Sequence, residues 1–244
     1  MIRSFVFALL MLVVGARGAV AYTLTGTKWP QAFLGAPVTI TYSYANLFDG
    51  GILDPNNQPV PEAILRGSIE EALSLWASVA PLNFVEAPDS GPLVSDAEYP
   101  ASASNAEIRF GHHFIDGFGN VKAHAYYPSS TFSGLAGDVH FDDGDRWALV
   151  GTLTYPDLLG CAEHEIGHAL GLDHSLDPTA VMYPTFHRMD GPGTGFLTPD
   201  DIAGIEAIYG VGVGSVHPLV PEPATISLAL AAISLGMLFR RRRR

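Results

Sequence analysis

The chain has 244 residues, 48% hydrophobic and 16% charged, which excludes disorder throughout and suits one domain with a sizeable core. A single cysteine excludes an internal disulfide framework, so stability must rest on core packing or on metals. The net charge of −12 hides an asymmetry: Arg3, Arg17 and Arg240 to Arg244 flank an acid-rich interior, which excludes a nucleic-acid partner and favours cations.

In chain order, Arg3, the apolar residues 5–14 and the small residues ending Ala19-Val20-Ala21 form a secretory signal peptide over residues 1–21, cut after Ala21. Residues 22–210 are expected to form one domain. Val38–Tyr44 alternates β-formers and predicts a strand. Residues 62–79 carry Ile64, Ile69, Leu73, Leu75 and Trp76 at helical spacings and predict an amphipathic helix. Short strands are expected at residues 83–85, 107–110, 122–127 and 138–141, and a helix at 158–170 ended by Gly171. Pro199–Tyr209 predicts a last helix, with Thr198 as N-cap and Asp200 and Asp201 suited to its dipole. Strands and helices mix without strict alternation, so the class is α+β. The Gly-rich residues 211–219 are expected to be a linker, and His187 and His217 to be solvated.

The stretch from His164 to His174 carries the chemistry. On a helix, His164 and His168 stand one turn apart on one face, so both imidazoles can reach one zinc ion. Glu165 sits at the adjacent edge, where it can take a proton from water without being a ligand. Gly171 lets the chain leave the helix and bring back His174 as a third ligand. Three protein nitrogens leave a fourth position open, the catalytic rather than the structural arrangement. Two other readings compete. A non-catalytic surface or matrix-binding module would have no use for Glu165. A gluzincin-type peptidase would take a downstream Glu as third ligand, and the next one is Glu206 on the last helix.

The pattern HExxHxxGxxH, followed by Val181-Met182-Tyr183-Pro184, resembles the metzincin metallopeptidases and their methionine turn. Ser175 directly after His174 points to the matrixin branch, the matrix metalloproteinase-like enzymes. Residues 75–84, 123–126, 137–143 and 197–202 are also matrixin-like, so the resemblance covers most of residues 22–210. It implies a zinc endopeptidase with a mixed twisted sheet and about three helices. In that reading His164, His168 and His174 hold the catalytic zinc, Glu165 is the general base and Met182 lies under the metal. Residues 122–125 would form the edge strand that pairs with substrate, and Pro184-Thr185-Phe186 one wall of the pocket after the scissile bond.

The resemblance also implies further metals. Asp116, Asp142 and Asp145 match calcium-binding positions by place. His124 and His140 match two ligands of a structural zinc whose other two usually come from a His-x-Asp loop. Here that loop is shortened to Gly111-His112-His113-Phe114, so His113 or His112 is left as third ligand and no Asp is evident. Cys161, three residues before His164, is expected to be core packing rather than the propeptide cysteine that blocks zinc in many matrixins. At the far end, Val220-Pro221-Glu222-Pro223, the apolar residues 224–239 and five arginines resemble a PEP-CTERM sorting signal over residues 220–244. That likeness implies an exosortase-type processing enzyme, transient membrane association and a secreted or surface location in a Gram-negative bacterium. As a helix the apolar stretch would rise only about 24 Å, short of a comfortable span. The protein is read as a monomer acting on protein or peptide substrates.

Overall fold

The computed structural model describes residues 21–102, 105–128, 133–150, 154–185 and 193–219. The expected signal peptide up to Val20, the expected sorting signal, Phe186 and His187 lie outside these residues. The elements run β1 (Thr23–Leu24), β2 (Val38–Tyr44), α1 (Glu62–Ala77), β3 (Leu82–Glu86), β4 (Ile108–His113), β5 (Ala123–Ala125), β6 (Val139–Asp142), α2 (Leu158–Ala169), β7 (Leu172–Asp173), α3 (Pro199–Tyr209) and β8 (Ser215–His217). Six strands form one sheet in the order β5-β6-β4-β2-β3-β8, and β1 pairs with β7 in a second, two-stranded sheet.

Strand β2 is central, running parallel to β3 and to β4. Its alternation is that of a sheet face: Val38, Ile40 and Tyr42 are buried, whereas Thr39 is exposed. Parallel neighbours need a long crossover, and α1 supplies the one from β2 to β3. The face that α1 buries is Leu65, Ile69, Ala72, Leu73 and Trp76; Ile64 and Leu75 lie only half-buried at its margins. Trp76 is fully buried, and its indole donates to the Glu163 carbonyl at 3.0 Å. That bond fastens α1 to α2, every residue of which is buried. A helix enclosed on all sides holds its side chains in fixed places.

Strand β5 alone runs antiparallel in the large sheet, and pairs only with β6. The register sets His124 opposite His140. Among the described residues its other edge is unpaired. The expected linker is corrected: within residues 211–219, Ser215–His217 is strand β8, parallel to β3 on the opposite edge. Val216 packs against the core and Ser215 donates to Asn83 Oδ1 at 2.8 Å. Three residues between Gly214 and Pro218 are too few to show a period, so pairing with β3 decides the strand. No helix among the described residues is long and apolar enough to cross a membrane.

Candidate active site and metal centres

Helix α2 is capped by Asp157, whose carboxylate accepts from the Gly160 amide. One turn apart on α2, His164 and His168 have their Nε2 atoms 3.1 Å from each other. Their outer nitrogens fix the tautomers: His164 Nδ1 donates to the Val181 carbonyl at 2.7 Å and His168 Nδ1 to the Leu172 carbonyl at 2.8 Å. Both Nε2 lone pairs therefore face one another, an arrangement that a cation resolves. Gly171 takes φ 104°, turning the chain so that His174 returns. Donor atoms of all three histidines then lie within 4.8 Å of one another. Burial first, and His168 next, push His164 down to about 3. Burial likewise pushes His168 down to about 4. Neutral imidazoles are what a metal needs.

The residues below the histidines are packed to hold them. Met182 is buried, and a side-chain carbon at Gly167 would collide with its sulfur. The turn carrying Met182 is tied to α3: Asp201 accepts from the amides of Val181 and Met182 at 2.9 and 3.1 Å while completing a capping box with Thr198. Asp200 accepts from Ser175 Oγ at 2.6 Å, next to His174. Sequence reasoning credited these two acids only with the helix dipole; tethering the zinc-side turn is the role it missed.

A cleft of about 810 Å³ runs past the three histidines and Glu165, with Lys122 to Ala125 on one wall and Pro184 and Thr185 on the other. The unpaired edge of β5 thus lines the cleft. Burial pushes the Glu165 carboxyl up to about 8; a cation held by the histidines would favour its ionised form. Cys161 is buried in the core, where its thiol is pushed well up, so it packs rather than reacts.

A second cluster stands on the sheet edge. His113, His124 and His140 converge with Asp96, their donor atoms within 4.8 Å of one another. Asp96 Oδ1 lies 2.9 Å from His124 Nε2, 3.3 Å from His113 Nε2 and 3.6 Å from His140 Nδ1. Those three nitrogens are buried and make no hydrogen bond of good geometry. Three nitrogens and one carboxylate oxygen are a closed structural zinc set. The third histidine is His113. His112 is engaged elsewhere, between Asp49 at 2.8 Å and Asp143 at 3.1 Å.

The expectation that no Asp was available is overturned. Asp96 comes from the loop between β3 and β4, seventeen residues before His113, and no local motif could have signalled it. Buried Arg109 straps that loop down, pairing with Asp89 at 2.7 Å and donating to the Pro92 carbonyl at 2.8 Å and Tyr99 Oη at 2.9 Å.

The acids expected to hold calcium have other partners. Among the described residues, Asp116, Asp142 and Asp145 do not gather as a ligand set. Asp142 accepts from four amides, those of Ile115, Asp116, Gly117 and Gly144. Burial opposes ionisation, yet these bonds hold its carboxyl below the ordinary range. Carboxylate oxygens aimed at N–H groups are not aimed at an ion.

The matrixin family model matches residues 51–210. Human matrix metalloproteinase-16 is 37% identical over 211 residues, 83% of this chain and 30% of that protein. Matrix metalloproteinase-18 of Xenopus laevis is 36% identical over 163 residues, 67% of this chain and 32% of that protein. Stromelysin-1 of Equus caballus is 36% identical over 154 residues, covering 63% of this chain and 30% of that protein. The chain spans about a third of the length of these relatives. With the histidine cluster, its methionine turn and a match over most of the domain in agreement, the chain belongs to the matrixin family.

Proposed function

We propose that the protein is a secreted zinc metalloendopeptidase. One observation carries this reading: three histidines converge beside Glu165 in a cleft bounded by a strand edge that is unpaired among the described residues. When bound, zinc supplies Lewis-acid polarisation of a peptide carbonyl and of the attacking water. Everything else falls to the chain. His164, His168 and His174 would hold the ion; β5 would pair with the extended substrate and align its scissile bond. Glu165 takes the water's proton and passes it to the leaving amine. Met182 and Asp201 keep the histidines from shifting.

Asp96, His113, His124 and His140 would hold a second, structural zinc that pins β5, β6 and the 87–99 loop together. Calcium is left out, because the acids proposed for it are already engaged. Residues 1–21 would direct export, and residues 220–244 would be a sorting signal removed by an exosortase-type enzyme at the surface of a Gram-negative bacterium. Incubating the purified zinc-loaded protein with a peptide library, with and without a chelator, tests the activity. Chelator-sensitive cleavage is expected; a zinc-loaded protein that cleaves no member of the library would overturn the reading.

A further inference from the structure

The turn between β4 and β5 and the turn after β6 bring two fully buried carboxylates together, those of Asp142 and Asp145. Buried negative charge must be compensated. Asp142 is served by its four amides. Asp145 has one amide, that of Gly119, donating to Oδ1 at 3.1 Å. On the same oxygen sits the Lys122 ammonium, also at 3.1 Å. Lys122 is one of two lysines in the chain, and its backbone carbonyl accepts from the Asp142 amide at 2.8 Å. Lys122, at the end of the β4–β5 turn, therefore bonds both Asp142 and Asp145.

The backbone carbonyls of the two acids are taken too. Trp147 Nε1 donates to the Asp142 carbonyl at 3.0 Å, and Arg146 Nη1 to the Asp145 carbonyl at 2.8 Å. Asp145 Oδ2 is left without a partner, the one carboxylate oxygen of the two acids that no donor occupies, and calcium prefers several. A divalent ion approaching Asp145 would have to displace the ammonium.

We propose that the Lys122 ammonium is the resident cation of this turn, neutralising buried Asp145 in place of a bound divalent ion and bracing the cleft wall that Lys122 itself lines. The fold then holds this wall without calcium. The inference is independent of the peptidase reading, since it is read from unfolding and ion binding rather than from cleavage.

The test uses zinc-loaded protein and calcium itself as the probe. Thermal midpoints are measured with and without about 1 mM calcium, the upper range for extracellular sites, and calcium-45 binding is measured by equilibrium dialysis. Wild-type protein should keep its midpoint within about 1 °C, whereas Lys122→Met should lower it by roughly 4 °C and Lys122→Arg by less. Stoichiometric calcium binding to wild type that disappears in Asp145→Asn would overturn the proposal, and so would a Lys122→Met midpoint equal to wild type. If Lys122→Met does not fold, the wild-type dialysis decides alone.

Discussion

The two histidine clusters differ in how their ligands arrive. His164, His168 and His174 come from one stretch of eleven residues, with two of them on a single buried helix. Asp96, His113, His124 and His140 come from four separate segments, joined by the sheet register and by an arginine-strapped loop. The first offers three nitrogens beside a free carboxylate in a cleft. The second closes three nitrogens with its own carboxylate and leaves no position for substrate. Helix geometry and the turn at Gly171 build the first; the second exists only once the sheet has formed.

Four perturbations should separate the clusters, the largest effect first. Glu165→Gln removes the base but no ligand, so cleavage should fall about 10³-fold while both zinc ions are retained. Equal turnover by the zinc-loaded variant, checked by metal analysis and a peptide assay, would remove Glu165 from the mechanism. Asp201→Ala cuts the tether to Val181 and Met182 and the α3 capping box together. A loss of about 2 kcal/mol is expected, with cleavage lowered because His164 rests on the Val181 carbonyl; denaturant unfolding and kinetics measure the two.

Asp96→Ala should reduce bound zinc from two ions to one and lower the midpoint by a few degrees, leaving the catalytic histidines loaded. Two ions retained in the variant would show that Asp96 is no ligand. The smallest effect concerns pH. Burial opposes ionisation of Asp89, but bonds from Arg109 and Ser43 outweigh it and lower its carboxyl from 3.8. Its stabilisation is therefore complete above about pH 4 and fades as pH falls further through the folded value. Asp89→Asn should flatten that acid limb of the unfolding profile. An unchanged limb would show that the strap carrying Asp96 does not depend on this charge.

What could be read from residues alone was whatever depends on short spacing. The i, i+4 histidines, the exit at Gly171, the Thr198 cap and the alternation of Val38–Tyr44 all follow from periods of 3.6 and 2, and each corresponds to an observed element. Strand β8 escaped because three residues beside glycines show no period, and only β3 supplies the partner. Asp96 escaped because nothing within its own loop marks it; its value comes from Arg109 and from His124 lying opposite His140. The partners of the acids expected to hold calcium escaped for a related reason. Asp116, Asp142 and Asp145 stand at plausible positions, but a carboxylate's role depends on which groups face it, and here those are amides and the Lys122 ammonium. Local periodicity determined the helix that carries the catalytic histidines. Contacts between distant segments, which carry no sequence period, decided where Asp96 meets its three histidines and where Lys122 meets Asp145.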